Sequence, residues 1–368
     1  MILSPLFSPV DYSTLPGWAD ETASGAYIAF QRCALHAETA PKPYRTGSLG
    51  IEAEAFGRAF REARAATPLS NPRAFFERHF QPCLVSPSPA SAGFVTGFYE
   101  PELPASRFET ERFRFPLYGR PDDLVDLDES DRPANMDPYF AFGRETAEGI
   151  VEYFDREAIE NGALAGHAPV IAWLEDKVDV FFVHVQGAAR LDMEDGNAVR
   201  VTYAAKSGHS FTGPGGVLAG LGEIPREKVT MQSIRAWFRA NPHRIDEILW
   251  RNRSFIFFRE AAVEDMDSGP VAAAKVQLTA GRSIAVDRML HTFGTPFYID
   301  SPSLTAFGGT PFRRLMIAQD TGSAIVGAAR GDLFAGSGAA AGEIAGVVRH
   351  PADFYALVPR ALLEGGVS

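Results

Sequence analysis

The chain is poor in cysteine and has no histidine-based metal motif. Cys33 and Cys83 are the only cysteines among 368 residues, which excludes a disulfide-rich scaffold. From the residues alone, the two could pair, closing a loop of about 50 residues, or remain buried free thiols. The 8 histidines lack metal-ligand spacing, and neither His-Glu-x-x-His nor Cys-x-x-Cys occurs. We therefore expect no metal ion and no other cofactor.

Basic residues and long apolar runs are also scarce. Lys and Arg total 35 against 46 Asp and Glu, a net charge of −11, which disfavours nucleic acid or an anionic membrane as the main partner. No run reaches the roughly 18 apolar residues of a membrane helix. The first basic residue is Arg32, so the start lacks the charged region of a signal peptide. We expect a cytoplasmic protein or a mature form without its targeting segment.

What the chain does have is a glycine-rich stretch from Arg314 to Gly346. It opens with the apolar run Leu315-Met316-Ile317, which predicts a buried strand with Asp320 near its end. Repeated glycine is costly in a regular element, so this stretch needs positive φ or closely packed backbone. Asp332 precedes Leu333-Phe334, and an acid beside apolar bulk is a candidate proton donor with a raised pKa. The plain alternative is that Asp320 caps a turn and Asp332 lies in a surface loop.

Three short motifs in this stretch suggest other functions and are weaker. Asp320-Thr321-Gly322 matches an aspartic-protease signature, which needs a second copy so that two carboxylates share a proton. The only other candidate, Asp267-Ser268-Gly269, follows no apolar strand. The run from Gly336 to Gly342 is one residue too long for a dinucleotide-binding fingerprint. Arg330-Gly331-Asp332 is an adhesion tripeptide that arises as readily by chance.

Periodicity predicts mostly helices early in the chain and strands late. The predicted helices span residues 21–37, 51–66, a segment capped by Asn71-Pro72, 155–162, 225–240 and 245–252. The predicted strands span residues 92–99, 169–174, 178–186, 199–204, 255–258, 274–278, 283–286, 295–299 and 313–317. The run 178–186 is almost continuously apolar, so we expect it to be covered on both faces. The pattern indicates an α+β fold, mainly β with α, that includes a small β-barrel near the end of the chain.

Five segments together resemble one known family. They are Thr96 to Pro101, Val180 to Gly187, Thr230 to Trp237, Gly281 to Arg288, and the glycine-rich stretch itself. Their content and order are similar to the MltA family of lytic murein transglycosylases, which carry a C-terminal 3D (three-Asp) domain. The resemblance covers residues from about 90 to 360, and the first 85 residues carry little of it.

The resemblance implies a fold and a reaction. Residues 1–104 plus 255–368 are expected to form a double-psi β-barrel domain with N-terminal helices, with residues 105–254 inserted as a second β domain and a glycan groove between them. The implied activity is cleavage of the β-1,4 bond between N-acetylmuramic acid and N-acetylglucosamine in peptidoglycan, leaving a 1,6-anhydro end. One carboxyl group can suffice, because the sugar's own C6 hydroxyl replaces water as the nucleophile.

The resemblance also implies roles for individual residues. Asp332 maps to the general acid/base, although family members often have His-Phe-Asp where this chain has Arg330-Gly331-Asp332. Asp320 is expected to support that acid, with the reverse assignment as the rival. Asp287 and Arg288 could form a buried structural pair. The residues expected to bind sugar are Thr96, Tyr99, Gln186, Ser207 and His209.

The expected partners are peptidoglycan glycan strands, acted on by a monomer in the periplasm or at the outer membrane. Family members often carry an N-terminal lipoprotein cysteine, and no such cysteine stands at the start of this chain. An oxidising envelope would favour a disulfide between Cys33 and Cys83. Two other functions stay open: a hydrolase using Glu100 or Asp287 as its second carboxylate, and a glycan-binding module without activity.

Overall fold

The chain folds into two compact units, the first built on one sheet and the second on two. The computed structural model describes residues 3–65, 71–86, 93–128, 132–137, 139–261 and 268–364. Unit 1 comprises Met1–Tyr99 and Met266–Ser368, and unit 2 comprises Glu100–Asp265. Within the described residues, no helix is both long enough and apolar enough to cross a membrane.

The secondary structure mixes helices with several sheets. The strands are β1 (Phe7–Pro9), β2 (Phe80–Val85), β3 (Gly93–Glu100), β4 (Glu102–Ser106), β5 (Phe115–Tyr118), β6 (Leu124–Asp126), β7 (Phe142–Thr146), β8 (Gly149–Val151), β9 (Val170–Leu174), β10 (Ala188–Met193), β11 (Ala198–Lys206), β12 (Ile256–Ala261), β13 (Ser283–Val286), β14 (Pro296–Ser301), β15 (Phe312–Asp320), β16 (Arg330–Ser337) and β17 (Arg349–Pro359). The helices are α1 (Ser24–Thr39), α2 (Gly57–Ala65), α3 (Pro72–His79), α4 (Arg156–Ala158), α5 (Lys177–Gln186), α6 (Pro214–Gly220), α7 (Met231–Ala240), α8 (Ile245–Leu249), α9 (Gly338–Ala345) and α10 (Arg360–Glu364).

Unit 1 is built on an eight-stranded sheet in the order β1-β2-β17-β14-β15-β13-β16-β3. Strand β17 also pairs with β3, so six of these strands form a closed ring of pairings. The long β17 makes this possible, because Arg349–Ala352 pairs with β3 while residues after it pair with β14 and β2. Strands β13 and β15 run parallel, and β13 and β16 run antiparallel. A closed ring leaves these strands without an open sheet edge.

The N-terminal helices supply an aromatic core beside this sheet. Asn71 caps α3 by accepting a hydrogen bond from Ala74 N at 3.1 Å, and Pro72 occupies the first turn, as predicted. Helix α3 buries Phe75 and Phe76, which pack around the fully buried Phe30 of α1. Such ring contacts stabilise the core beyond simple burial of area.

The expected disulfide between Cys33 and Cys83 is wrong, because both residues are buried free cysteines. Cys33 Sγ lies on α1 and accepts a hydrogen bond from Gln319 Nε2 at 3.3 Å. Cys83 lies on β2, where its thiol donates to Gln81 O at 3.7 Å. Each thiol is therefore satisfied within its own surroundings.

Unit 2 contains a six-stranded sheet in the order β12-β11-β10-β4-β9-β5 and a three-stranded sheet β6-β7-β8. The predicted strand 178–186 is wrong, because this run is helix α5. Asp176 begins the helix by accepting from Val178 N at 2.7 Å, and Gly187 ends it with a φ of 74°. One side of α5 packs into the core of the six-stranded sheet and the other into the core of α6, α7 and α8. A helix covered on all sides is apolar all round, which mimics a buried strand.

Two other elements differ from the sequence prediction. The helix predicted over 225–240 begins only at Met231, because Thr230 and Ser233 form a reciprocal capping box. Residues 274–278 form a turn instead of a strand, since Lys275 has a φ of 62°, which breaks an extended conformation. The predicted strand 92–99 is confirmed as β3, although Ala92 lies outside the described residues. Asp267, from the possible second protease motif, also lies outside them.

Candidate active site

Two aspartates lie on either side of one alanine in the sheet of unit 1. Asp320 is opposite Ala285 in the parallel pair β13–β15, and Asp332 is opposite the same Ala285 in the antiparallel pair β13–β16. Adjacent strands are about 4.8 Å apart, so the two α-carbons are separated by about 10 Å. Residues opposite each other project from the same face of a sheet. A register shift next to Ala285 marks a bulge, a feature common beside active sites.

Asp332 is held by the hydroxyl of Thr96. Thr96 Oγ1 donates to Asp332 Oδ1 at 2.6 Å, and it accepts from Arg330 Nη2 at 2.7 Å. Burial raises the pKa of Asp332, while the Thr96 hydrogen bond and the Arg330 charge oppose that rise. Asp332 as a whole residue is only partly buried, so it keeps some exposure to solvent. A carboxyl group in this setting can hold a proton and still reach a ligand.

Asp320 has a different environment at the end of β15. Burial raises its pKa to about 6, and the nearby Asp332 adds to the rise. Backbone N–H groups of Ala273 and Thr321 oppose it, with Ala273 N 3.2 Å from Asp320 Oδ1. Asp320 therefore accepts hydrogen bonds from the backbone, whereas Asp332 accepts one from a side chain.

Small residues around the two aspartates allow close packing of the backbone. A Cβ placed on Gly331 would lie 2.4 Å from Ile284 Cδ1, and one on Gly342 would lie 2.9 Å from the ring of Tyr99. Gly336 has a φ of 122°, a conformation that glycine alone adopts readily. The glycine-rich sequence is thus required by strand packing and by the turn from β16 into α9.

Tyr99 is buried on β3, where its ring rests on Gly342 of α9. This contact packs helix α9 closely against strand β3. The proposed sugar-binding role of Tyr99 stays a prediction.

The other three predicted sugar-binding residues belong to unit 2. Gln186 is the last residue of α5 and is partly exposed. Ser207 is fully buried, and its Oγ accepts from Phe255 N at 3.1 Å. His209 is buried, with Nε2 2.8 Å from Tyr153 O. The polar atoms of Ser207 and His209 thus make internal bonds, and their binding roles stay predictions.

The predicted buried pair of Asp287 and Arg288 is wrong, because Arg288 is exposed. Asp287 instead accepts from the backbone N–H groups of Met289 and Gly327 at 2.9 and 3.0 Å. Arg288 follows the end of β13, and its own carbonyl accepts from Arg45 at 3.0 Å.

Glu100, the other candidate second carboxylate, is fully buried in unit 2. Arg200 donates to both of its oxygens, at 2.6 and 3.0 Å. A carboxylate held in this way is a poor candidate for a base that activates water. No group of His, Cys, Asp and Glu in the described parts of the chain is arranged to hold a metal ion.

Two parts of the chain match the sequence patterns of known protein families. Residues 94–259 match the MltA specific insert domain, and residues 282–358 match the 3D domain. A solved membrane-bound lytic murein transglycosylase from Agrobacterium tumefaciens is 49% identical, with a TM-score of 0.91 over 98% of this chain and 99% of that chain. The chain belongs to the MltA family.

Two further relatives share less of their sequence with this chain. MltA from Neisseria gonorrhoeae is 32% identical, with a TM-score of 0.78 over 96% of this chain and 92% of that one. Membrane-bound lytic murein transglycosylase A from Escherichia coli K12 is 30% identical over 261 residues, which is 69% of this chain. The alignment spans 62% of that curated relative's own length.

Arg330 is the residue at this MltA-type site whose role sequence reasoning missed. Its guanidinium bonds to Thr96, which in turn bonds to Asp332. The available signal was spacing, because residues two apart on a strand point to the same face. Arg330 and Asp332 have this spacing on β16.

Proposed function

We propose that this chain is a lytic transglycosylase that cleaves the β-1,4 bond between N-acetylmuramic acid and N-acetylglucosamine in peptidoglycan. The observation that carries the proposal is Asp332, a partly open carboxyl group with a raised pKa and a defined hydrogen-bond partner. It lies within the part of the chain that matches the 3D domain. The names of the relatives support murein as the substrate.

In the proposed reaction, Asp332 acts first as an acid and then as a base. Its proton passes to the glycosidic oxygen as the bond from that oxygen to C1 of N-acetylmuramic acid breaks. The C6 hydroxyl of the same sugar forms a bond to C1, and its proton passes to the Asp332 carboxylate. The products are a free N-acetylglucosamine hydroxyl and a 1,6-anhydro sugar. Water is not consumed, and Asp332 regains its proton.

Asp320 is proposed as a supporting group. Its carboxylate accepts backbone hydrogen bonds, which fixes it in the sheet. When ionised, it raises the free energy of a second negative charge at Asp332, and so favours the protonated form of the acid. Because its pKa is about 6, this influence grows as the pH rises through 6.

Hydrolysis is a second candidate, supported by the placement of two carboxyl groups across Ala285. Inverting glycosidases hold their carboxyl groups roughly 6.5 to 9.5 Å apart so that water fits between them. An α-carbon separation of about 10 Å is compatible with that range. In this case Asp320 would activate water, and the product would contain an ordinary reducing end.

We also propose a barrel fold for unit 1, an inserted domain and a place of action in the cell. The closed ring of six strand pairings supports a double-psi β-barrel in unit 1. The chain leaves unit 1 after Tyr99 and returns at Met266, which supports an inserted domain. The names of the relatives support action on murein at the cell envelope. We also propose that the chain acts on glycan strands as a monomer.

Mass spectrometry of soluble products from purified peptidoglycan tests the proposal. We expect anhydro muropeptides from the wild type and none from Asp332→Asn, which keeps the shape but removes the acid. Products heavier by one water would support hydrolysis, and Asp320→Asn should then abolish them. Saturable binding without any product would support a glycan-binding module. Unchanged anhydro products from Asp332→Asn would move the acid to Asp320.

A further inference from the structure

Arg330 forms the outer end of a three-residue chain of hydrogen bonds. Arg330 Nη2 lies 2.7 Å from Thr96 Oγ1, and Thr96 Oγ1 lies 2.6 Å from Asp332 Oδ1. The guanidinium also bonds to the carbonyl of Gly331 and lies near the ring of Phe94, 5.7 Å from its centroid. These contacts come from a strand residue that is itself half-buried, so the guanidinium has little freedom to move.

The direction of each hydrogen bond follows from the groups themselves. Arginine has only donors, so the Thr96 oxygen must accept from Arg330. The single hydroxyl hydrogen of Thr96 is then left to point at Asp332 Oδ1. With the hydroxyl hydrogen on Oδ1, a carboxyl proton on Oδ2 leaves both hydrogen bonds of Thr96 intact.

We propose that Arg330 is a positioning residue that fixes the Thr96 hydroxyl and thereby assigns the transferable proton of Asp332 to Oδ2. The inference rests on the proposed function, in which Asp332 delivers that proton to a glycosidic oxygen. General acid catalysis depends on a donor whose proton points at its acceptor. Without Arg330, the Thr96 hydroxyl can rotate, and either carboxyl oxygen can hold the proton.

The charge of Arg330 has a second consequence for the same group. Burial raises the pKa of Asp332, and the Arg330 charge opposes that rise. An acid that must later act as a base needs a pKa that is not too high. Arg330 thus favours the return step, in which the carboxylate accepts the C6 hydroxyl proton.

Other charged groups surround β16 and have to be considered in any pH profile. Strand β3 and helix α9 pack against β16, and β15 and β17 lie one strand further away. The titratable residues on these four elements are Tyr99 and Glu100 on β3, Glu343 on α9, Arg313, Arg314 and Asp320 on β15, and Arg349, His350, Asp353 and Tyr355 on β17. Glu343 and Arg349 are exposed, and Glu100 is bound to Arg200. Asp320 interacts directly with Asp332, so its titration has to be followed as well.

The kinetic test compares Arg330→Met with Arg330→Lys and with the control Arg314→Met. Arg314 is matched, because it is half-buried in unit 1 and lies against the rings of Phe307 and Phe312. For Arg330→Met we expect a kcat for anhydro products about tenfold lower, the usual effect of losing a charged hydrogen bond, with KM nearly unchanged. In a plot of kcat against pH, the alkaline limb of this variant should move to higher pH, because loss of the positive charge favours protonated Asp332. Arg330→Lys should keep the limb close to wild type.

A double mutant separates positioning from a general structural effect. In a Thr96→Val background, Arg330→Met should cost little further kcat, because the hydroxyl that Arg330 orients is already absent. Equal losses with and without the hydroxyl would overturn the proposal. An alkaline limb for Arg330→Met that matches Arg314→Met would overturn it as well.

A measurement without turnover distinguishes this proposal from the proposed function. Carbon NMR of labelled aspartate carboxyl groups follows the titration of Asp332 directly, with Asp332→Asn used to assign the signal. We expect Asp332 to titrate at higher pH in Arg330→Met than in wild type. Identical titrations would refute the role of Arg330. If the wild type makes no anhydro product, the proposed function fails while this titration still decides the role of Arg330.

Discussion

Asp320 and Asp332 reach raised pKa values through different partners. Asp320 combines burial with two backbone donors and a neighbouring carboxyl group, whereas Asp332 combines burial with a hydroxyl donor and a guanidinium. Sequence inspection located both acids, because each follows or precedes apolar residues within the glycine-rich stretch. It missed Ala285, which brings them onto one face, because strand register is set by pairings distant in sequence.

Replacing Asp320 should change how stability depends on pH. The folded pKa of about 6 lies above the usual value of 3.8, so between about pH 4 and 6 the folded state holds a proton that the unfolded chain has lost. Stability from this group is therefore present at low pH and is lost as pH rises through 6. The free energy of unfolding of Asp320→Asn, relative to that of wild type, should therefore increase by up to about 3 kcal/mol between pH 4 and pH 7.

Urea unfolding at pH 4 and pH 7 measures this change. The exposed Asp11→Asn serves as the control for the same change of side chain at the surface. A constant difference for Asp320→Asn would mean that the folded pKa of Asp320 is not raised.

Helix α5 shows why composition alone misassigned one element. Residues 178–186 are rich in Val and Phe, which favour strands in isolation. The decisive signals flank the run, with Asp176 as the N-cap and Gly187 in the left-handed conformation. Packing against a sheet on one side and three helices on the other then outweighs the intrinsic preference. In strands β13, β14 and β15 the intrinsic preference of the residues agrees with the element they form, and these predictions are confirmed.

Asp176→Ala should destabilise the protein by about 1 kcal/mol, because the N–H of Val178 loses its partner. Asp176→Asn should cost much less, since asparagine caps helices as well as aspartate does. Thermal or urea unfolding of the two variants gives the comparison. Equal stability of Asp176→Ala and wild type would show that the cap is dispensable.

A pair of helical glycines tests the packing of α9 on β3. Gly342→Ala places a methyl group 2.9 Å from the Tyr99 ring, and should cost about 1–3 kcal/mol and reduce activity. Gly216→Ala in α6 meets nothing within 4 Å and should be neutral or stabilising by up to about 1 kcal/mol. Denaturant midpoints and product assays of both variants measure these effects. Equal effects of the two substitutions would contradict a close contact between Gly342 and the Tyr99 ring.

At the scale of the whole molecule, the two cysteines show whether the chain contains a disulfide. Cys33 on α1 and Cys83 on β2 are both buried, and burial raises their pKa values to about 11 and about 12. The resemblance suggested a disulfide because it implied an oxidising compartment, but compartment alone does not bring two side chains into contact. The distance between them depends on tertiary packing, which the sequence pattern does not encode locally.

We expect both thiols to be unreactive in the native protein and to react after unfolding. Ellman's reagent should detect close to none before guanidinium is added and two afterwards, without any reductant. A reductant should leave the unfolding midpoint unchanged. Absence of thiols in the unfolded, unreduced protein would mean that a disulfide forms.

The ring of strand pairings in unit 1 has a consequence for biosynthesis. Strand β17 closes the ring by joining β3, β2 and β14, and among the described strands it is the last to be synthesised. Strand β3 must therefore wait for a partner made more than two hundred residues later, while every strand of unit 2 is already complete. Unit 2 can fold while the ribosome is still working, but the aspartates of unit 1 acquire their closed setting only after β17 has emerged. A nascent chain interrupted before Arg349 would carry Asp320 and Asp332 without the ring around them.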